Sequence, residues 1–247
     1  MEKLSKSLRA YVRSLHEQSE RLKENALLVE GRNAVEQAFA AKLNCRFIVI
    51  GPNDKTELPS TTTIYHADEK DMDFLSSTKT SYGIAGIFEI PARTQMTGDC
   101  LLCDGIQDPG NLGMLIRSAA AFGFGSVVCT GRSADPYSPK TIRSSAGYIF
   151  SMTVIKAGYE DLPALFDPSY MIYGTELTQS ALPLWTVVPK QPFCIMIGSE
   201  GNGISAQAAG IITQNVIIPM TDATESLNAA AAGSIIMSYF YGRLCAD

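Results

Sequence analysis

The apolar and polar positions of the chain alternate between two patterns. Short apolar runs, such as Cys194 to Ile197 and Val216 to Met220, have the length and β-branched content of buried parallel strands. Other stretches, such as Leu4 to Lys23, carry apolar residues at helical spacing with charged residues between them. Strands that alternate with helices favour a parallel sheet with helices on both faces. The pattern therefore predicts an α/β protein.

A polar stretch that contains Pro and Gly, Pro91 to Gly98, separates two apolar strands and is typical of a linker. We place the boundary near residue 95, which predicts domains of residues 1–95 and 96–247. The first is expected to be a small alternating α/β domain. From residue 100 onward the alternation of strand and helix is regular, and no internal repeat interrupts it.

The composition, 46% hydrophobic and 18% charged residues, is that of an ordinary soluble globular protein. No run of eighteen apolar residues occurs, so the sequence does not support a membrane span. The amino-terminal segment is charged and helical, without the apolar centre of a secretory signal. We therefore expect a cytoplasmic protein.

The six cysteines are scattered, and Cys100 with Cys103 form the only CxxC. A zinc site would need a second pair or suitably spaced histidines, whereas the chain has only His16 and His66. We expect no metal, with both CxxC cysteines packed as small apolar residues in a buried strand. The scarcity of histidine also argues against a Ser-His-Asp or Cys-His catalytic site.

The net charge of −5 is unusual for a protein that binds nucleic acid, because lysine and arginine supply most of that affinity. Residues 1–46 form an exception, with nine lysines or arginines against six acidic residues. A solvated helix face explains this basic excess as well as an RNA-binding surface does.

Three stretches share a strand end, a tight turn and the start of a helix. In DGIQDPGNLGMLIR, Asn111 is expected at the helix cap and Arg117 lies two turns further on. GSEGNGIS follows a second strand, and in the third stretch Thr224 or Ser226 is expected to cap a helix that starts near Leu227. Such strand ends bind ligands in α/β proteins. Each of these polar residues could instead serve only as a helix cap or turn residue.

Taken in order, DPGNLG followed by Arg, GSEGNGIS, and IPM with ESLN resemble the three motifs of the SpoU (TrmH-like) branch of the SPOUT RNA methyltransferases. The resemblance covers residues 100–244 and implies a parallel sheet with a deep trefoil knot. LVEGRNAVEQAF and TSYGIAGIFEI are similar to the L30e-like domain that many SpoU enzymes carry at the amino terminus. That similarity implies that residues 1–95 dock RNA.

The resemblance also implies that S-adenosylmethionine binds in the knotted region. The backbone around Ile197 and Gly198, Ile218 to Met220 and Leu227 would surround its adenine and ribose, with Thr175 nearby. These are backbone amides and carbonyls with apolar cover, which suits a neutral base.

Arg117 is the residue that the family credits with engaging a ribose 2′-hydroxyl. A guanidinium almost never loses its proton, so we expect Arg117 to orient the hydroxyl rather than to act as a base. By the same resemblance Asn111, Ser226 and Asn228 would position Arg117 and the nucleotide. Glu200 would either accept the proton, as a phosphate or water could, or brace the loops.

RNA contacts are expected at Arg32, and at Lys140 and Arg143 in DPYSPKTIRSSAGYIF, a phrase that also resembles a family segment. Lys79 and the turn from Thr80 to Gly83 are further candidates. Surface solubility explains Arg32, Lys79 and this turn equally well.

The sequence departs from the family at two places. Thr221-Asp222-Ala223 stands where members often have a Gly, and four alanines follow Asn228. The family dimerises through the knotted domain, and the last helix offers an apolar stripe of Ile235, Ile236, Tyr239 and Phe240. That stripe could form a homodimer face or belong to the protein's own core.

The resemblance thus implies a homodimeric methyltransferase that uses S-adenosylmethionine to methylate a ribose 2′-hydroxyl of tRNA or rRNA. A non-catalytic RNA-binding or ribosome-assembly protein with the same fold is the alternative, suggested by the acidic charge. The sequence does not favour a nucleotide-dependent oxidoreductase, because it contains no GxGxxG motif. A P-loop is also missing: Gly105 and Gly110 have its spacing, but Asn111 and Leu112 replace the Lys-Ser/Thr pair.

Overall fold

The computed structural model describes residues 2–92, 94–176, 178–221 and 226–245. The chain forms two compact units, one of residues 1–92 with 137–150 and the other of residues 93–136 with 151–247. The predicted boundary at residue 95 is near the one at residue 92. Residues 137–150, which the sequence assigned to the second domain, belong instead to the first unit.

The first part of the chain forms, in order, β1 Glu2–Lys3, α1 Lys6–Ser14, α2 Gln18–Glu24, β2 Ala26–Glu30, α3 Arg32–Ala40, β3 Cys45–Ile50, β4 Ile64–His66, α4 Glu69–Leu75 and β5 Ile84–Glu89. The chain continues with β6 Cys100–Asp104, α5 Pro109–Ala121, β7 Ser126–Thr130, α6 Pro139–Ser144, β8 Thr153–Ala157, α7 Leu162–Leu165, β9 Met171–Gly174, β10 Leu182–Pro183, β11 Phe193–Gly198, α8 Ala206–Ala209, β12 Gln214–Ile217 and α9 Ala229–Leu244.

The first unit is built on a five-stranded sheet of order β1-β4-β3-β5-β2. Strand β5 is antiparallel to both β2 and β3, whereas β4 is parallel to β1 and β3. The core below it joins the apolar face of α1 to the strands, through Val12, Leu15, Leu28, Val49 and Ile87. Helix α6 packs against β2, which explains why residues 137–150 belong to this unit.

The amino-terminal helix predicted over Leu4 to Lys23 is two helices, because the chain breaks between α1 and α2. Arg21 is buried and donates to the carbonyl oxygens of Leu15 and His16, both at 2.7 Å. Its guanidinium thus satisfies carbonyls at the end of α1, which would otherwise be orphaned. With Arg21 turned inward, Leu22, one of the apolar residues at helical spacing in this stretch, is 65% exposed.

Much of the basic excess in residues 1–46 serves this unit's own backbone. Arg13 donates to the carbonyls of Phe74 and Ser76, at 3.1 and 2.8 Å. Arg46 donates to those of Glu24 and Asn25, at 2.7 and 3.2 Å. These guanidiniums close helix ends and turns, so the excess is weak support for an RNA-binding surface.

The second unit is built on a seven-stranded sheet of order β10-β12-β9-β11-β6-β7-β8 in which every neighbouring pair is parallel. This confirms the predicted parallel sheet. The deep trefoil knot stays a prediction.

Four cysteines lie inside this sheet, as predicted for the CxxC pair. Cys100 is level with Cys194 on β11, and Cys103 is level with Cys129 on β7; all four are buried. The hydrogen bond with Cys129, followed by burial, raises the pKa of Cys103 well above its usual value. Because such a thiol stays protonated, it packs as an apolar group. The described residues contain no group of three or more His, Cys, Asp or Glu able to hold a metal ion.

Nowhere in the described parts of the chain is a helix both long and apolar enough to cross a membrane.

Candidate active site

The carboxyl ends of β6, β9, β11 and β12 lie at one edge of the second sheet, because neighbouring strands there are parallel. The loops that follow these strands carry the three sequence motifs. Strand β12 ends at Ile217, so Ile218 and Met220, which the sequence placed in the strand, lie in the loop after it.

A cavity of about 260 Å³ opens at this edge, and we call it the main pocket. Its lining includes all six residues that the sequence proposed for the cofactor: Thr175, Ile197, Gly198, Ile218, Met220 and Leu227. Glu176, Glu200 and Ser226 also line it, the first of these missed by the sequence reasoning. The pocket thus combines apolar walls with two carboxylates.

Thr175 shapes the pocket through the backbone of the neighbouring strand. Its hydroxyl donates to the carbonyl oxygen of Met196 at 3.0 Å, and its amide donates to the same oxygen at 3.2 Å. Both bonds hold the loop after β9 against β11. The side chain therefore fixes one wall of the main pocket.

The loop after β11 is a tight turn closed by its own backbone. The Ser199 amide donates to the Gly203 carbonyl at 3.0 Å, and the Gly203 amide donates to the Ser199 carbonyl at 2.8 Å. A Cβ atom at Gly198 would lie 2.2 Å from the carbonyl carbon of Gly203. Only glycine fits this close approach of two backbone segments.

Asn111, Glu200 and Asn228 meet beside the main pocket, one from each motif, and we call them the amide-carboxylate cluster. Oε1 of Glu200 accepts from Nδ2 of Asn111 at 2.8 Å and from Nδ2 of Asn228 at 2.5 Å. Nδ2 of Asn228 also lies 3.1 Å from Oδ1 of Asn111. The Ala229 amide approaches the same Glu200 oxygen at 3.4 Å. Hydrogen bonds to Glu200 therefore join the loops of all three motifs.

The residue that caps α5 differs from the prediction, and the Asn111 side chain is not used as a cap. Asp108, not Asn111, caps α5, because its Oδ1 accepts from the Asn111 amide at 2.9 Å. The side chain of Asn111 is thereby available for Glu200.

Helix α9 starts at Ala229 rather than near Leu227, and its cap is Asn228. Oδ1 of Asn228 accepts from the amides of Ala230 and Ala231, at 3.0 and 3.2 Å. Ser226 lines the main pocket instead of capping the helix. Thr224 and the Asp222-Ala223 part of the altered loop lie outside the described residues.

Replacing Asn228 by alanine is expected to destabilise the protein by about 1 kcal/mol, the usual loss when a helix cap is removed. Asn228→Ser retains a capping oxygen and should recover most of that loss, but it cannot reach both Glu200 and Asn111. Urea unfolding of the two variants measures how much the helix cap contributes to stability. Their methyl-transfer rates measure how much the hydrogen bonds of Asn228 to Glu200 and Asn111 contribute to activity. Equal stability of Asn228→Ala and the wild-type protein would contradict the capping role.

Arg117 is the predicted residue that the structure does not bring to the pocket. It is exposed on α5, two turns beyond Asn111, and is not among the residues that line the main pocket. No hydrogen bond or ion pair joins its guanidinium to another described residue. The side chain is therefore available to a ligand approaching from outside the pocket.

A smaller cavity of about 160 Å³ lies against the amide-carboxylate cluster. Gln107, Ser199 and Asn202 line it together with Asn111 and Glu200. Sequence reasoning missed these three, although they stand in the same loops as the motif residues. Their amide and hydroxyl groups can hydrogen-bond a ribose or a base edge.

Asp104 at the end of β6 is a buried carboxylate that joins two further segments to this edge. Its Oδ1 accepts from the Tyr159 hydroxyl at 2.9 Å, and its Oδ2 accepts from the Ser205 amide at 2.6 Å. A hydrogen bond between Tyr159 and the Ser205 side chain lowers the pKa of Tyr159. Burial and the hydrogen bond to Asp104 raise this pKa by more, so its net value is above the usual one. The phenol therefore stays protonated as the donor to Asp104.

The residues expected to contact RNA, Arg32, Lys140 and Arg143, all belong to the first unit. Arg32 is the first residue of α3, and its Nε donates to Oγ1 of Thr56 at 3.0 Å. Lys140 is exposed near the start of α6, and Arg143 lies further along that helix.

The apolar stripe of α9 is partly buried and partly exposed. Ile236 and Phe240 are buried in the protein's own core, whereas Ile235 is 36% exposed. The Tyr239 hydroxyl donates to the carbonyl of Trp185 at 2.9 Å, and the indole ring of Trp185 is exposed.

Comparison with known proteins agrees with this fold. The SpoU rRNA methylase family model matches residues 100–238, and the MRM3-like substrate binding domain model matches residues 10–86. The chain is 32% identical over 239 residues to the 23S rRNA (guanosine(2553)-2′-O)-methyltransferase RlmP of Bacillus subtilis strain 168, covering 93% of this chain and 94% of that protein.

Two solved structures have the same architecture throughout. A TrmH-family protein from Porphyromonas gingivalis superposes with a TM-score of 0.87 at 31% identity, covering 97% of this chain and 99% of that one. The AdoMet-bound rRNA methyltransferase of Sinorhizobium meliloti, at 22% identity, has a TM-score of 0.85 and covers 99% of this chain and 97% of its own. The second likeness shows the fold.

The fold and site thus define a SPOUT-type methyltransferase domain that follows an amino-terminal substrate-binding domain, as the sequence predicted. The chain belongs to the SpoU rRNA methylase family. By family it is an RNA methyltransferase of the SpoU/TrmH type.

Proposed function

We propose that this protein transfers a methyl group from S-adenosylmethionine to a ribose 2′-hydroxyl of large-subunit ribosomal RNA. The observation that carries the proposal is the convergence of three distant motifs on one oxygen, Oε1 of Glu200, beside the main pocket. A structural cap or turn does not require all three motifs to meet. The name of the B. subtilis relative, which this chain matches over nearly its full length, supports rRNA as the substrate.

The main pocket fits the methyl donor. Ile218 and Met220 offer apolar cover for an adenine, and the backbone after β11 and β12 offers hydrogen-bonding groups for its edge. The carboxylates of Glu176 and Glu200 suit a positively charged sulfonium. AdoMet is present in the S. meliloti structure of the same fold. When bound, S-adenosylmethionine supplies an electrophilic methyl group on a sulfonium sulfur.

The protein's own part in the reaction is alignment and the placement of one proton. Glu200 already accepts three N–H groups through one oxygen, so we assign it to bracing the loops around the nucleotide. Arg117, exposed and without a protein partner in the described chain, orients the 2′-hydroxyl and the adjacent phosphate. The proton then passes to that phosphate or to water. Asn111 and Asn228 hold Glu200, and Ser226 lies at the pocket wall.

A homodimer is part of the proposal. Several large apolar side chains of the second unit are exposed: Met114, Trp185, Val188, Ile235 and Tyr241. Exposed apolar groups of this size mark interaction sites when they are contiguous. Met114 and Arg117 lie one turn apart on the exposed face of α5, so a dimer formed there would enclose Arg117. Light scattering on the purified protein tests this state.

The proposal also assigns a role to each domain and a cellular location to the protein. Residues 1–95, with Arg32, recognise RNA, and residues 96–247 carry the knotted catalytic domain. Lys140 and Arg143, which the structure groups with the first unit, contribute to RNA recognition. We further infer a cytoplasmic location, which the bacterial 23S rRNA named for the B. subtilis relative supports.

Calorimetric titration with S-adenosylmethionine, followed by transfer of labelled methyl into total tRNA and rRNA with nucleoside mapping, tests the function. We expect cofactor binding and a labelled 2′-O-methylnucleoside in 23S rRNA. Label in tRNA alone would contradict the substrate, and label on a base nitrogen would contradict the reaction. RNA binding without cofactor consumption would favour the non-catalytic alternative.

A further inference from the structure

The first unit contains a cavity of its own, of about 430 Å³, and we call it the Tyr82 cavity. All of its lining residues belong to that unit, and they include Glu30, Arg32, Asp54, Tyr82 and Arg143. A cavity of this size lies in the usual range for small-molecule sites and is large enough for one nucleotide.

Tyr82 forms an aromatic wall that is open to solvent. Tyr82 lies after α4, in the turn that leads into β5, and it is 49% exposed. The ring lies against the turn between β2 and α3, where a Cβ atom at Gly31 would meet the Tyr82 ring carbon at 3.5 Å. The backbone therefore supports the ring, while nearly half of the residue stays available for stacking.

Arg143 is fixed beside this ring by a buried anion. Its Cζ atom lies 5.7 Å from the Tyr82 ring centroid, and its guanidinium donates to Oγ of Ser77 at 2.7 Å. The same guanidinium nitrogen is 3.7 Å from Oε2 of Glu30, whose side chain is only 3% exposed.

Glu30 is itself held in place. Its Oε1 accepts from the Ser76 hydroxyl and the Ser77 amide, both at 2.9 Å, and its Oε2 accepts from the Ser77 hydroxyl. These hydrogen bonds fix the Glu30 carboxylate beneath the Arg143 guanidinium. Arg143 thus loses little further freedom when it meets a ligand.

Arg32 supplies a second cation to the cavity lining. Its Nε donates to Oγ1 of Thr56 at 3.0 Å, and its NH2 is 4.0 Å from Oδ2 of Asp54. The Arg32 side chain is 53% exposed, whereas that of Asp54 is 7% exposed. Both acids of the cavity are buried and both cations reach its surface, so a ligand meets positive charge.

We propose that the Tyr82 cavity binds one unpaired nucleotide of the RNA substrate, with the base stacked on Tyr82 and the phosphates held by Arg32 and Arg143. Unpaired bases are recognised by stacking on aromatic rings and guanidinium planes, and arginine pairs well with phosphate. The Asn33 amide, which also lines the cavity, is placed to hydrogen-bond a base edge. The proposal rests on RNA being the substrate, as argued above.

The test measures binding of the full-length protein to 23S rRNA transcribed in vitro, over a range of salt concentrations, together with KM and kcat for methyl transfer. Tyr82→Ala is expected to weaken RNA binding roughly tenfold, the range found when one base-stacking aromatic is removed. It should raise KM for RNA, leave the affinity for S-adenosylmethionine unchanged, and leave the salt dependence unchanged because stacking is not ionic. Tyr82→Phe keeps the ring and should bind as the wild-type protein does.

Loss of Arg32, unlike loss of Tyr82, is expected to change the salt dependence of RNA binding. Arg32→Ala should lower the slope of log affinity against log salt by about one, as expected for one lost phosphate contact. Tyr148→Ala removes another exposed tyrosine of the same unit that does not line the cavity, and it should bind RNA normally. If Tyr82→Ala fails to fold, Tyr82→Leu keeps apolar contact with the Gly31 turn but cannot stack, and it replaces Tyr82→Ala in the test.

Unchanged RNA affinity and KM in a folded Tyr82→Ala or Tyr82→Leu variant would overturn the nucleotide site. Equal losses in Tyr82→Phe and Tyr82→Ala would also overturn it, since the ring would not be what matters. A wild-type protein that neither binds nor methylates RNA would instead contradict the proposed function. The two failures are therefore distinguishable.

Discussion

Gly198→Ala is expected to abolish measurable binding of S-adenosylmethionine. The new methyl group would lie 2.2 Å from the Gly203 carbonyl carbon and 2.4 Å from both the Gly203 oxygen and the Ile204 nitrogen. These are backbone atoms, so no rotamer change relieves the clash. The turn from Ser199 to Gly203 must open, and with it one wall of the main pocket.

The clash should also lower the free energy of unfolding by about 1–3 kcal/mol, the usual cost of overpacking. Gly201→Ala is the matched control, because it lies in the same turn and its Cβ would meet nothing within 4 Å. Calorimetric titration and urea unfolding of both variants measure the two effects. Normal cofactor affinity in Gly198→Ala would show that this wall is not part of the cofactor site.

The elements around Gly198 were predictable because they follow from local patterns. Strand β11, Phe193–Gly198, contains the predicted apolar run Cys194 to Ile197 and extends one residue beyond it at each end. The sequence also predicted that the motifs follow strand ends, where α/β proteins bind ligands, but the hydrogen bonds that join Asn111, Glu200 and Asn228 were found only in the structure. Recognition of the motifs added the expected cofactor and reaction.

Details that depend on a choice between neighbouring polar residues were not predictable. Asp108 and Asn111 are both good caps, and in the structure Asp108 caps α5 while the Asn111 side chain bonds Glu200. Asn228 rather than Ser226 likewise caps α9, and its side chain also bonds Glu200.

Long-range partners were equally hidden in the sequence. Arg143 appeared as a surface cation, but its contacts with Glu30 and Ser77 arise from residues more than sixty positions away in the chain. Those contacts explain why α6 packs with the first unit. Arg21 is a similar case, because nothing in a charged helical pattern indicates which arginine turns inward.

Arg117→Ala is expected to reduce kcat for methyl transfer about a hundredfold or more, the loss that misorientation of a reacting group can cause. The cofactor affinity should not change, because Arg117 does not line the main pocket. Stability should stay within about 0.5 kcal/mol, as is usual for an exposed side chain without a structural contact. The variant therefore separates catalysis from folding and from cofactor binding.

Arg117→Lys sharpens this test because it keeps the charge and removes the planar fork. If Arg117 orients the 2′-hydroxyl and its phosphate by two directed hydrogen bonds, lysine should restore little of the rate. Arg243→Ala removes another exposed arginine of the second unit and should turn over normally. Single-turnover methyl transfer with saturating S-adenosylmethionine measures all three variants. Wild-type turnover in Arg117→Ala would remove Arg117 from the mechanism, and alignment would then fall to the residues around the small cavity, chiefly Gln107 and Asn202.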